Sequence, residues 1–294
     1  MRVLHNALMM PLEGTMDKFT GGLYESSGEF VGSSLIKRGS PAEPRPYQET
    51  LKGTYVYGGC LFAHFGHFIW ESLARLDTIL KCKDYPVLFI SPNDRIFNTQ
   101  RLFFKTLGIR SEIVVIRKPA RIENIIYGEP QSSLYPASMS DSLLAAMGIK
   151  RFNALSERKV WFSRSKLKYG KILNEEEIEA KLRSLGFEIV YPEKLPLLEQ
   201  IRLIATSRIV SGFTGSQFFS AFFASEILGR FVLFNRRANV PDTIPFLLSR
   251  KGINGNVNML DIKIVDDLKL DIVSLEPDRI VKIMSDAATY SSFL

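Results

Sequence analysis

The chain contains three histidines, and two of them, His64 and His67, stand three residues apart in HFGHFIWESLARL, with Glu71 four residues after the second. An imidazole and a carboxylate at that spacing can act as one unit. The carboxylate orients the ring and raises its basicity, or is itself the base. On a helix of 3.6 residues per turn, Ile69, Leu73, Leu76 and Leu80 form one apolar stripe. His67 and Glu71, about 40° apart on that helix, lie on the opposite side with Ala74 and Thr78, toward solvent or a cleft. Two other readings compete. Glu71 also precedes Arg75 by four residues, the spacing of an ordinary helix ion pair. His64, His67 and Glu71 could instead ligate a metal, the basis of a metal-dependent hydrolase. Gly66 between the histidines, the remoteness of His5 and the lack of an H-E-x-x-H pattern weigh against that.

A second constellation is RKVWFSRSKLKYGKILNEEE. Six basic residues, Arg158, Lys159, Arg164, Lys166, Lys168 and Lys171, occur there with no acid among them. They surround the carboxyl end of a strand predicted at KVWFS, where ligands of parallel sheets bind. A planar guanidinium suits a diphosphate, and flexible lysines can close over it. A solvated basic loop is the other reading for most of these lysines; Arg164 differs because it directly follows the strand. Asn174 reads as the N-cap of the next helix, with Glu177 three residues on as in a capping box and Gly186 at the end. A third constellation, VSGFTGSQFF, runs from a strand through a Gly-x-x-Gly-Ser turn into a helix N-terminus. Backbone N–H groups and the helix dipole favour an anion there, and Thr214, Ser216 and Gln217 add side-chain donors. Tight strand-to-helix packing at Gly212 and Gly215 explains the turn equally well, since the full G-x-G-x-x-G is absent.

The elements that must hold these residues alternate along the chain. The first fifty or so residues are rich in Gly, Ser and Pro and read as loop with one or two short strands. From Thr54, TYVYGG, YPVLFIS, SEIVVI and RIENIIYG read as strands, and HFIWESLARLDTIL and FNTQRLFFKTLGI as helices. SMSDSLLAAMGIKRFNA predicts a helix leading out of this half. Then KVWFS, FEIVYP, RIVSGF, RFVLFN and NVNMLDI predict strands, and NEEEIEAKLRSLG, LLEQIRLIATS and FFSAFFAS the helices between them. PDRIVKIMSDAATY predicts a final helix. The pattern is α/β, with two Rossmann-like halves facing across a cleft.

Composition bounds the rest. At 294 residues, 46% of them hydrophobic, the chain fits two domains with ample core. A net charge of +7 favours anionic partners without choosing among them. The basic residues are scattered rather than aligned on one helix, and no nucleic-acid-binding motif occurs, so nucleic acid is not an expected partner. Cys60 and Cys82 form neither a disulfide framework nor a C-x-x-C pair and read as reduced thiols of a cytosolic protein. The N-terminal MRVLHNALMMPLEG lacks a convincing signal peptide, and no apolar stretch reaches the ~18–20 residues of a spanning helix. The expected location is cytoplasmic, with at most peripheral contact at the inner face of a membrane.

FGHFIWESLARL, VWFSRSKLKYGKILNEEE and GFEIVYPEKLPLLEQIRLIATSRIVSGFTGSQFFSAFF occur in this order over about residues 54 to 240. Together they resemble glycosyltransferase family 61, which includes capsular-polysaccharide biosynthesis proteins. The resemblance implies a GT-B architecture: an acceptor-side domain over 1–152, a sugar-nucleotide domain over 153–275, and a C-terminal helix, 276–294, packing back on the first domain. It implies an inverting hexosyl-, pentosyl- or N-acetylhexosaminyltransferase that works without a metal or other cofactor. The donor would be a nucleotide-sugar, and the acceptor a growing bacterial surface polysaccharide or related, even lipid-linked, glycan. Residue by residue, the family's His-x-x-x-acid element falls on His67 and Glu71, and its Ser-Arg on Ser163 and Arg164. Its basic residue and Asn fall on Lys171 and Asn174, and its glycine-rich turn on Gly212 to Ser216. On this reading Thr214, Gly215, Ser216 and Gln217 would line the donor diphosphate, and His64 and Arg75 are candidates for the acceptor side. One departure stands out: the turn usually reads Gly-Pro-His-Gly and here reads GFTG, so Thr214 replaces a histidine. A catalytically inactive nucleotide-sugar-binding protein of the same fold is the alternative this departure raises.

Overall fold

A computed structural model of the chain describes residues 1–15, 18–36, 38–93, 95–130, 145, 152, 154–168, 170–224, 226–236, 257–261, 263–266, 272–274 and 276–289. The chain folds as two units, Met1–Tyr135 and Pro136–Leu294. Both are α/β, as the alternating pattern predicts.

The strands of the first unit are β1 (Arg2–Thr15), β2 (Lys18–Tyr24), β3 (Gly39–Pro41), β4 (Glu49–Cys60), β5 (Val87–Ile90), β6 (Ile113–Ile116) and β7 (Ala120–Tyr127). They form one sheet in the order β3-β2-β1-β7-β4-β5-β6. β7, β4, β5 and β6 are parallel neighbours, but β1 runs antiparallel to both β7 and β2. The sheet is therefore mixed, and the first fifty residues are not the loop their composition suggests. Strand β1 escapes a period-two reading because it is paired on both edges and carries a register shift between Met10 and Glu13. Met9 to Leu12 are consequently buried in succession rather than alternately.

The segment predicted as one helix is broken. α1 (Phe65–His67) passes into a π turn over Phe68–Ser72, where the Leu73 N–H reaches back five residues to the Phe68 carbonyl. After a turn, α2 (Leu76–Lys81) follows. Tertiary hydrogen bonds override helix continuity here. Ser72 Oγ accepts the Phe62 N–H at 2.9 Å. Arg75, only 4% exposed, donates to the carbonyls of Gly128 and Ser33 and to the Tyr127 hydroxyl. Its guanidinium lies over the rings of Tyr57 and Tyr127. The Glu71–Arg75 pair is thus not made. Ile69, Leu73 and Leu76 are buried as the stripe predicts; Leu80 is only half-buried, and Ile79 takes the core position. α3 (Asn98–Thr106) completes the unit's α-helices among the described residues.

The second unit holds β8 (Ser156–Phe162), β9 (Glu188–Val190), β10 (Ser207–Phe213), β11 (Arg230–Asn235) and β12 (Val257–Asp261). All neighbours are parallel, in the order β12-β11-β10-β8-β9. Counted from β8 as first strand this is 2-1-3-4-5, a doubly wound sheet whose order reverses between β8 and β10. Among the described residues its longer helices are α4 (Glu175–Ser184), α5 (Leu197–Thr206) and α6 (Pro277–Thr289), and a 3-10 helix, Ser216–Phe223, stands where FFSAFFAS predicts an α-helix. Alternate strand residues pack on opposite faces. Trp161, Ile209, Phe213, Val232 and Phe234 share a core with Ile178 and Leu182 of α4 and Ile280, Met284 and Ala287 of α6. Phe162 and Phe231 meet Phe218 of the 3-10 helix instead. A hairpin of β13 (Ile264–Asp266) and β14 (Ile272–Ser274) precedes α6. The helix predicted over SMSDSLLAAMGIKRFNA falls, but for 145, 152 and 154, outside the described residues.

Among the described residues no helix is long and apolar enough to cross a membrane. Both cysteines are free; burial pushes the Cys60 thiol up to about 12, so it serves as a small apolar side chain.

Candidate active site

In the first unit the His-x-x-x-Glu pair is formed. His67 Nδ1 lies 3.1 Å from Glu71 Oε2, and both side chains stay partly open, 30% and 17% exposed. The partner that sequence spacing misses is Arg38, whose Nη2 donates to the same Glu71 oxygen at 2.7 Å and lies 3.4 Å from His67 Nδ1. Arg38 is steadied by the faces of Phe19 and Phe62, 5.7 and 5.4 Å from its guanidinium carbon. Phe62 also packs on the His67 ring, and the His64 ring lies 5.1 Å from it, centroid to centroid. The tautomer follows from these distances. A carboxylate only accepts, so the shorter Nδ1–Glu71 contact calls for a proton on Nδ1, while the 3.4 Å approach of Arg38 is marginal as a hydrogen bond. Nε2 then carries the lone pair, and Glu71 orients the ring. Among the described residues no three His, Cys, Asp or Glu side chains converge as a metal site requires. The three-ligand arrangement of His64, His67 and Glu71 therefore lacks its geometry.

In the second unit the polar group sits at the carboxyl ends of β8 and β10, where the strand order reverses. Arg164, 7% exposed, is held at three points. Its backbone N–H donates to Glu175 Oε2 (2.9 Å), its Nε to the Gly170 carbonyl (2.9 Å) and its Nη1 to Gln217 Oε1 (2.9 Å). The Gln217 amide nitrogen is fixed in turn on the Phe213 carbonyl at 2.8 Å. Gly215 must be glycine for the arginine to lie there: a Cβ would fall 2.2 Å from Arg164 Nη1 and 2.5 Å from Gln217 Oε1. Gly212, at φ +147, takes a backbone conformation that side-chain-bearing residues avoid, and a Cβ would meet the Phe162 carbonyl at 2.5 Å.

Beneath Arg164 lie two buried carboxylates one helical turn apart. Glu175 also accepts the Trp161 indole N–H at 2.8 Å; burial pushes its carboxyl up to about 8, against these hydrogen bonds. Glu179 is equally enclosed, and burial alone would raise it. Hydrogen bonds from Ser163, Ser165, Tyr191 and Arg183 together hold it below the ordinary carboxylate value.

The predicted residues thus separate into those brought together and those engaged elsewhere. Arg164, Gly215 and Gln217 meet, and Lys171 follows Gly170, which binds Arg164. Ser216 begins the 3-10 helix and is half-buried. Thr214 is 3% exposed and tied to the next strand: its N–H donates to the Phe234 carbonyl, and Arg236 binds its carbonyl and hydroxyl. Asn174 does not cap α4. Its side chain makes a reciprocal pair with the backbone of Ser274, and the helix starts without a side-chain cap. Arg158 and Lys159, in the first half of β8, bind Glu188 and the Leu185 carbonyl and leave the carboxyl end to Arg164. Sequence reasoning missed Arg38, on which no local pattern bears. It also missed Glu175 and Glu179, although acids at i and i+4 beside the buried stripe of Ile178 and Leu182 were a readable signal.

No curated protein matches the chain. The model of a protein family described as Glycosyltransferase 61 does match, over residues 65–228. That span exceeds half of the chain and takes in the His67–Glu71 pair, Arg164 and the Gly215 turn, and the chain therefore belongs to glycosyltransferase family 61.

Proposed function

We propose that the chain is an inverting glycosyltransferase of GT-B architecture. It moves a sugar from a nucleotide-sugar to a growing bacterial capsular or exopolysaccharide, or a related glycan. Residues 1–152 take the acceptor and residues 153–275 the donor. The observation that carries this reading is Arg164, at the switch point of a doubly wound sheet, clamped through Gln217 to the turn after β10. A nearly buried guanidinium bonded to the Gly170 carbonyl and to Gln217, on a backbone N–H fixed by Glu175, is pre-organised for an anion that grows in charge as the leaving group departs.

On the acceptor side His67 Nε2 takes the hydroxyl proton, with Glu71 on Nδ1 orienting the ring and balancing the imidazolium. The acceptor oxygen attacks the anomeric carbon from the face opposite the nucleoside diphosphate. The bond to the diphosphate oxygen breaks, and its charge is met by Arg164, Lys171 and the N–H groups at Gly215, Ser216 and Gln217. Thr214, Asn174, His64 and Arg75 act as neighbours that shape the two sites. No metal or other cofactor is needed on this reading, so turnover survives chelation. The enzyme works in the cytoplasm, against the inner face of the membrane when the acceptor is lipid-linked.

The test is a thermal-shift screen against nucleoside diphosphates and their sugars, followed by a donor–acceptor assay of the hit. A ligand that binds the folded state raises the melting temperature by mass action. Silence across the whole panel would sink the donor assignment. Thr214 favours a second reading, a nucleotide-sugar binder without turnover, because this family position is tied to Arg236 and Phe234. Binding with no transfer to any acceptor would select it.

A further inference from the structure

The turn after β10 is flanked by a second guanidinium. Arg236 is the first residue after β11 and lies beyond the span that the family model matches. β10 and β11 are parallel neighbours with Phe213 opposite Phe234, and the Thr214 N–H extends that ladder by bonding the Phe234 carbonyl at 2.8 Å. Arg236 closes on the same residue twice. Its backbone N–H donates to Thr214 Oγ1 at 3.3 Å, and its Nε donates to the Thr214 carbonyl at 2.7 Å. On the other side of β10, Arg164 Nη1 donates to Gln217 Oε1, and the Gln217 amide donates to the Phe213 carbonyl. The turn from Phe213 to Gln217 thus carries one arginine on each flank, from strands two spacings, about 10 Å, apart. Both arginines stand at the carboxyl edge of the sheet, where ligands of such sheets bind. Nε uses one of the five N–H donors of Arg236, and a guanidinium keeps its charge whatever other partners it has.

We propose that Arg236 binds the nucleoside-side phosphoryl of the donor diphosphate, while Arg164 meets the sugar-side one. The inference rests on the donor-site reading of Arg164 and names the second half of that site. Since the breaking bond is assigned to Arg164, the far flank of the turn falls to the phosphoryl that bears the nucleoside. The reaction treats the two groups differently. The sugar-side phosphoryl gains charge as its bond to the anomeric carbon breaks. The nucleoside-side phosphoryl carries the same charge before and after. Arg164 therefore gains most in the transition state, whereas Arg236 holds donor and transition state equally.

The experiment is calorimetric titration of the wild type, Arg236→Gln and Arg164→Ala at one pH and ionic strength. The probes are uridine, cytidine, guanosine, adenosine and thymidine, each as nucleoside, monophosphate and diphosphate. For the base that binds, Arg236→Gln weakens monophosphate and diphosphate alike, about 10–100-fold, the scale of a hydrogen bond to a charged group. Arg164→Ala weakens the diphosphate and spares the monophosphate. In the transfer assay Arg236→Gln raises donor KM and leaves kcat near the wild-type value, the sign of an interaction equal in both states. If Arg236→Gln weakens the diphosphate alone, it copies Arg164→Ala. Arg236 then only braces the turn, and the assignment falls with the donor site left standing. Unchanged affinity for both nucleotides overturns it in the same way. Should Arg236→Gln lose its circular dichroism, the wild type and Arg164→Ala decide. In each, the monophosphate must bind at least about tenfold tighter than its nucleoside, and a smaller ratio overturns the assignment. Failure of every diphosphate to bind the wild type overturns the donor reading and this inference with it.

Discussion

The two candidate sites hold their charges in opposite ways. In the first unit His67, Glu71 and Arg38 are each partly open to solvent, and the cluster is shaped by aromatic faces and a single strong ion pair. In the second unit Arg164, Gln217, Glu175 and Glu179 are nearly closed off, and every one of them has named hydrogen-bond partners. An open cluster suits a group that must exchange a proton with a varying hydroxyl. A closed one suits a group that must stand still while charge develops against it. The contrast predicts that damage to the first site removes turnover, and damage to the second removes donor affinity.

The largest effect tests the first half of that contrast. Glu71→Gln and His67→Ala should each lower transfer about 10²–10⁴-fold, the usual share of a general base. Nucleoside diphosphate affinity, read by calorimetry, should stay within error of the wild type. A parallel loss of affinity would break the division of labour. Next, Arg164→Ala should raise the donor dissociation constant about 10–100-fold, the scale of a hydrogen bond to a charged group. Gly215→Ala should imitate it by displacing the same guanidinium. Smaller again, Arg38→Ala should reduce kcat about tenfold by releasing Glu71 from one of its two partners, at unchanged donor KM, in steady-state assays.

The smallest effect lies in stability and separates the two carboxylates of α4. Glu175 is raised from 4.5 to about 8, so it favours the fold below its unfolded value, and that contribution declines as pH rises through about 8. Glu179 is lowered, so its contribution is present above 4.5 and is lost as pH falls through its depressed value. Melting curves of Glu175→Gln and Glu179→Gln against pH should thus diverge from the wild type in opposite senses, by about a few degrees. Identical pH trends in the two variants would show that neither carboxylate carries the assigned charge.

The second unit was largely legible in the sequence because its signals are local. Its strands and helices alternate at the expected spacing, α4 carries its apolar stripe at Ile178 and Leu182, and Arg164 stands two residues past the end of β8. The first unit was less so, because its organisation depends on long-range pairing. β1 lost its alternation to a register shift. Arg38 reaches Glu71 from a segment with no periodicity, and the π turn was imposed by Ser72 and Arg75 bonding outside the helix. Asn174 shows the same limit in the second unit: every local rule makes it a cap, yet a strand far along the chain claims its side chain.

That last contact has a consequence for biosynthesis. Asn174 and Ser274 are one hundred residues apart in the chain, and α6, beyond them, closes the core around Trp161. At about 5–20 residues per second a ribosome needs about 5–20 s to cover that interval. The first unit can complete its sheet while the second is still being made. The helix that carries Glu175, and with it the seat of Arg164, gains its Asn174 contact and the Ile280, Met284 and Ala287 side of its core only once residues 274 to 287 have been made. The His67–Glu71 pair can thus form on the nascent chain before the seat of Arg164 does.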